Sequence, residues 1–259
     1  MQYHSVASLK QVTELTVRYS FTHIKERTAE QCGEGVFEES FYEREEVSMK
    51  TELKVPLPCG SAGPEYSSIS FVYIYIYISF YSFEQMRLKS CIEFVPRTTE
   101  EDYVSIESQD GCWSDVGMRG GMQTLSIGDG CAFLSTVEHE FLHCLGFNHE
   151  QSRYDRDDYV EIVTENIIAG HPQLHNFDKE SMQSSTTQGT PYDYTSVMHY
   201  GQDAFTNGNG NTILTQVPRF QNVIGQEYDL SPWDSYELSK LYNCSTYISY
   251  YYYFFKYKE

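Results

Sequence analysis

Residues 133–145 are mostly apolar and hold neither proline nor glycine, a pattern that predicts a buried helix. Upstream, Gly120-Gly121 leads into Met122-Gln123-Thr124-Leu125-Ser126-Ile127, whose alternation predicts a strand over residues 120–127. A stronger alternation of tyrosine and isoleucine fills residues 70–80, from Ser70-Phe71-Val72 to Ile78-Ser79-Phe80. Its aromatic and β-branched content predicts another strand, too short to span a membrane. Near the other end, Ser231-Pro232 with Asp234 predicts the start of a helix within residues 231–242. Residues 26–52 are polar and rich in glutamate, without a core pattern, and no internal repeat runs through the chain.

The apolar run carries the most specific chemistry, His139-Glu140-Phe141-Leu142-His143-Cys144-Leu145-Gly146-Phe147-Asn148-His149. On a helix, His139 and His143 stack on one face with Cβ atoms roughly 5–6 Å apart, a spacing that lets two imidazoles hold one zinc. Gly146 takes the left-handed backbone that ends the helix, and the reversal brings His149 round as a third nitrogen ligand. Three protein ligands leave one position for water, which marks a catalytic zinc site and not a structural one. Glu140 stands beside a ligand without being one. A carboxylate there can take a proton from the water, whose pKa the metal lowers to about 7, and pass it to a leaving amine. Chance produces H-E-x-x-H in about one per cent of chains this long, and requiring Gly146 and His149 cuts that about a thousandfold.

Further along lies Ser196-Val197-Met198-His199-Tyr200, preceded by Pro191-Tyr192-Asp193-Tyr194. An elongated zinc motif followed by such a methionine turn is the metzincin pattern. With the continuation Glu150-Gln151-Ser152-Arg153-Tyr154-Asp155-Arg156-Asp157-Asp158-Tyr159-Val160, the chain resembles the astacin family of zinc endopeptidases over residues 91–244. Arg87-Leu88-Lys89-Ser90-Cys91 and Asp110-Gly111-Cys112-Trp113-Ser114 resemble the meprin branch, whereas Cys91-Ile92-Glu93-Phe94-Val95-Pro96-Arg97 resembles the hatching enzymes.

The resemblance implies a mixed α/β (α+β) fold of two lobes. The amino-terminal lobe holds a twisted sheet and the zinc helix, and the carboxy-terminal lobe, residues 147–244, is largely irregular with a terminal helix. It implies one zinc per chain and a protein or peptide substrate held extended in the cleft between the lobes, along an edge strand assigned to residues 120–127, the alternative for that run being an ordinary sheet strand. Met198 would floor the metal, and Tyr200 would coordinate the metal and swing to hydrogen-bond the developing oxyanion. Glu150 would receive a buried amino terminus through water, the alternative being an ordinary solvated acid. The family's disulfides fall on Cys91 with Cys244 and Cys112 with Cys131; the first would contribute roughly 5 kcal/mol by chain entropy. Cys32 and Cys59 are a further candidate pair. Cys144 reads as a small buried residue and not as a ligand, and His199 as structural.

Composition changes the picture in two ways. A net charge of -19 over 259 residues argues against nucleic acid and anionic membranes as partners. Disulfides and the sequon Asn243-Cys244-Ser245 point to secretion, yet residues 1–17 hold no signal-like apolar run, so the chain reads as incomplete at its start.

The chain departs from its relatives at both ends. Residues 1–60 occupy the place of a prosegment. The nearest string to the family's F-x-G-D latency motif is Phe37-Glu38-Glu39-Ser40, so no latency switch is expected. Residues 61–85 and the tail 245–259 read as translated A/T-rich non-coding sequence, displacing the usual first strand and much of the first helix. The expected organisation is therefore extension 1–60, anomalous segment 61–85, catalytic domain 86–244 and tail 245–259. Two rivals remain: a catalytically inactive zinc- or partner-binding relative with a damaged amino-terminal scaffold, and an adhesion or matrix module.

Overall fold

The computed structural model describes residues 15–21, 65–169, 172–226 and 228–244, with backbone alone at 15–21, 65–76 and 172–173. Cys32, Cys59, residues 26–52 and the tail 245–259 lie outside the described residues.

Strands β1 (Leu15–Phe21), β2 (Ile92–Pro96), β3 (Tyr103–Glu107), β4 (Cys112–Ser114) and β5 (Met122–Ile127) form one sheet in the order β2-β1-β3-β5-β4. All its pairings are parallel except β4 against β5. Helix α1 (Glu65–Lys89) connects β1 to its parallel neighbour β2, and helix α2 (Leu134–Cys144) follows β5. The remaining chain is mostly 3-10 turns, with a two-stranded sheet of β6 (Val160–Ile162) and β7 (Ile213–Thr215) and helix α3 (Pro232–Leu241). Among the described residues, no helix is long and apolar enough to cross a membrane.

Three expectations are corrected. Residues 70–80 are not a strand but the middle of α1. Where side chains are described, Ser79, Ser82, Phe83, Met86 and Ser90 are buried while Tyr77, Tyr81 and Glu84 face out. Burial at intervals of three and four is a helical stripe, and three of its five members are serines, which a hydropathy pattern reads as polar. The hydroxyls of Ser82 and Ser90 satisfy themselves by bonding the carbonyls of Ile78 and Met86, four residues back. β-propensity is a weak local preference that such packing overrides.

The first strand and first helix are therefore not displaced. β1 falls within the stretch assigned to a prosegment, yet it sits between β2 and β3 in the sheet. Its sequence signal is the alternation of Leu15, Val17, Tyr19 and Phe21 with Thr16, Arg18 and Ser20.

The edge assignment also shifts. β5 is sandwiched between β3 and β4, so the free edge on that side belongs to the three-residue strand β4. Alternation within one run carries no information on which strands flank it.

Two cores fill the molecule. One joins Phe83, Met86, Ile92, Leu125, Val137, Phe141 and Leu142 with Val197, Met198 and Leu238. Phe83, Phe94 and Phe141 meet there at ring distances of 4.4–5.2 Å. The other gathers Val160, Ile167, Phe177, Tyr192, Tyr194 and Ile213, with Tyr200 against it. Disulfides Cys91–Cys244 and Cys112–Cys131 tie the end of α1 to the chain after α3, and the edge strand to the entry of α2. Ser231 and Asp234 form a reciprocal capping box at α3.

Candidate metal centre

Helix α2 ends in a Schellman motif: Phe147 N–H donates to the Leu142 carbonyl and Gly146 N–H to that of His143. Gly146 has φ of +99° there, as glycine alone does without strain. The motif turns the chain back so that His149 meets the two helical histidines, with the three ligand nitrogens within 4.8 Å of one another. His149 Nε2 lies 3.2 Å from His139 Nε2 and 3.1 Å from His143 Nε2. A tetrahedral zinc bonded at about 2.0–2.1 Å holds its ligand nitrogens about 3.3–3.4 Å apart, so the set fits.

Tautomers fit too. His139 Nδ1–H donates to the Val197 carbonyl at 2.8 Å, and His143 Nδ1–H to the Phe147 carbonyl at 2.8 Å. With the proton held on Nδ1, each Nε2 presents a lone pair to the shared point. Burial holds all three imidazoles below their ordinary range, His143 at about 4, so none carries a competing proton at neutral pH.

Glu140 is buried beside them, and burial pushes its carboxyl up to about 8. Its Oε2 has no hydrogen-bond partner among the described residues. A buried carboxylate oxygen left unpaired is costly, and here it stands free to receive a proton. Tyr200 lays its ring 4.4 Å from that of His149. Burial, with the Glu140 charge adding, raises its phenol to about 12, which keeps the hydroxyl a donor at neutral pH.

The methionine turn is built across the seam of the two cores. Met198 is buried in the first, and Tyr200 packs on the second. Asp234 holds the turn from α3: its carboxylate accepts from Ser196 Oγ at 2.6 Å and from Val197 N–H at 3.0 Å. The carbonyl of that same Val197 orients His139. Asp234 reads from sequence as a helix cap alone; its reach to Val197 depends on the tertiary fold.

Glu150 is not a solvated acid. Its side chain is one-tenth exposed, pairs with Arg153 at 3.1 Å and accepts the Asp193 N–H at 2.7 Å. Its N–H donates to the Met198 carbonyl. Cys144 is a free, buried thiol facing the Gln123 amide, and His199 is buried between Tyr192 and its neighbour's carbonyl.

Glu138, which no motif singled out, is fully buried. Its Oε2 accepts the Leu230 N–H, and Lys89 Nζ stands 4.0 Å from Oε1, so it ties α2 to α1 and to the entry of α3. A cavity of about 510 Å³ opens elsewhere on the carboxy-terminal lobe, lined among others by Arg156, Leu174 and Phe177 and by none of the three histidines. Donor chemistry locates this site better than volume does.

Residues 77–243 match the family model of the astacin peptidases. The chain is 51% identical over 170 residues to meprin A subunit beta of Homo sapiens, covering 65% of this chain and 24% of that protein. It is 46% identical over 157 residues to high choriolytic enzyme 1 of Oryzias latipes, covering 60% and 56%. It thus spans about a quarter of the length of the meprins it matches. The solved structure of high choriolytic enzyme 1, a hatching-enzyme zinc-protease, superposes with a TM-score of 0.66 at 31% identity, covering 94% of this chain and 98% of that one. The matched residues make up more than half of the chain and contain the three converging histidines, so the chain belongs to the astacin family.

Proposed function

We propose that the protein is a zinc-dependent endopeptidase that hydrolyses internal peptide bonds of protein substrates. The observation that carries this reading is the unpartnered, buried Oε2 of Glu140 beside three imidazoles whose lone pairs converge. When bound by His139, His143 and His149, zinc supplies Lewis acidity to a water and to the scissile carbonyl.

Glu140 acts as general base on that water and then as general acid toward the leaving amine. Burial raises this carboxyl, which favours holding the proton once it has been taken up. Tyr200 donates its hydroxyl to the oxyanion developing on the scissile carbonyl, an interaction of a kind worth about 3–4 kcal/mol in other acyl-transfer sites. Met198, buried in the first core, is assigned the apolar floor of the site. An extended substrate adds to the free edge of β4, where main-chain hydrogen bonds supply affinity. The two disulfides support an oxidising, extracellular location.

Glu140→Ala tests the assignment. The variant is expected to bind one zinc per chain and to fold, while losing turnover of a quenched fluorogenic peptide pool by at least about 10³-fold. Turnover within tenfold of the native protein would remove Glu140 from the mechanism. Native protein that binds zinc without chelator-sensitive cleavage would favour the inactive relative instead.

A further inference from the structure

His149 and Tyr200 come from distant parts of the chain, and two hydrogen bonds cross-tie the turns that carry them. Glu150 N–H donates to the Met198 carbonyl at 3.0 Å. In the opposite direction, Tyr200 N–H donates to Oε1 of Gln151 at 3.0 Å. The second bond is made by a side chain, so it is the one that sequence controls.

Gln151 is fully buried, and its own amide nitrogen has no partner among the described residues. A packing role is filled equally well by methionine or leucine, without an orphaned donor. The acceptor oxygen is what this position uses. Its backbone is held in turn: Arg156 Nη1 donates to the Gln151 carbonyl at 3.0 Å and also to the Phe177 carbonyl. Phe177 sets its ring edge against Tyr200 at 5.8 Å. Opposite, the Tyr200 carbonyl accepts from His199 Nδ1, while His199 Nε2 takes the Tyr192 hydroxyl.

We infer that Gln151 is a positioning residue for the reaction: by accepting the main-chain N–H of Tyr200, it fixes the tyrosine relative to the turn that carries the metal ligand His149. With the backbone pinned on both sides, the ring moves through its two side-chain torsions alone, and it lies 4.4 Å from the ring of His149. Preorganisation of this kind is what makes an oxyanion donor effective. The inference rests on the role proposed for Tyr200.

The experiment is a double-mutant cycle of Gln151→Met, Tyr200→Phe and their combination. It reads kcat and KM, zinc content, thermal midpoint, and equilibrium affinity for a phosphinic pseudopeptide that mimics the tetrahedral transition state. Tyr200→Phe is expected to lower kcat about 100-fold. Gln151→Met is expected to lower kcat about tenfold and phosphinic affinity by a similar factor, with KM within about twofold and zinc retained. In the Tyr200→Phe background its effect should shrink to within about twofold, because the residue it positions is gone.

An equal loss in both backgrounds, or no loss of kcat in either, overturns the inference. If Tyr200→Phe alone leaves kcat unchanged, the role of Tyr200 fails and the inference falls with it, a result distinct from the other two. Should Gln151→Met not fold, Gln151→Asn, whose amide falls about one methylene short, carries the same cycle.

Discussion

Neighbouring main chain crowds single residues around this site. Gly225 is one such residue. It has φ of +78°, and a Cβ built there would stand 2.3 Å from the Gly201 Cα and 3.3 Å from the Tyr200 carbonyl carbon. Gly225→Ala therefore incurs left-handed strain and a backbone collision together, and is expected to destabilise by about 1–3 kcal/mol. It should lower kcat as well, since the main chain that must give way belongs to Tyr200 and its neighbour. Thermal unfolding and peptide hydrolysis measured on the same sample check both parts, and unchanged activity in a folded variant would show that the tyrosine tolerates the shift. The histidines, Glu140 and Gly146 were legible in the sequence because their spacing on one helix and its terminus is a local matter. Gln151, Asp234 and Glu138 were not. Their partners lie 37 to 92 residues away, and nothing in their local pattern names those partners.

At the scale of elements, α1 shows where local pattern misleads. A strand would place Ser79, Tyr81 and Phe83 on one face, whereas the helix buries Ser79 and Phe83 and leaves Tyr81 43% exposed. Phe83 packs against Phe94 of β2 and Phe141 of α2 at 4.4 and 5.2 Å. Phe83→Ala is expected to cost about 3–5 kcal/mol, and Tyr81→Ala less than about 0.5 kcal/mol. Chemical denaturation of the two variants checks the helical stripe, because equal losses would contradict the burial difference between the two positions. Helix α2 and helix α3 were legible, one from a mostly apolar stretch without proline or glycine and one from its Ser231-Pro232-Asp234 start, and α3 does begin with a capping box. The edge of the sheet was not legible, since β4 is only three residues long and owes its position to pairing with β5 and to the Cys112–Cys131 bond.

Over the whole molecule, acids enclosed by the fold make stability depend on pH. Burial pushes the Glu237 carboxyl up to about 7, with the Thr190 hydroxyl opposing and the Asp234 charge adding. The folded protein binds this proton more tightly than the unfolded chain, so the group's contribution to stability is complete below its ordinary value of 4.5 and is lost as pH rises through about 7. Glu237→Gln, which keeps an acceptor for Thr190, should raise the thermal midpoint at pH 8 and raise it less at pH 5. An equal gain at both pH values would place the cause outside this titration. The sequence by itself determined the three histidines that converge, the glutamate next to the first of them, the helix that carries them and the family, because each is written in residues a few positions apart whose geometry the helix dictates. Tertiary structure decided what surrounds them: that Leu15–Phe21 completes the sheet, that a tyrosine–isoleucine alternation becomes a helix, and that β4 holds the free edge beside β5. It also set Tyr200 over His149 by way of Gln151. Those outcomes rest on contacts between residues far apart in the chain, whose energies no local pattern contains.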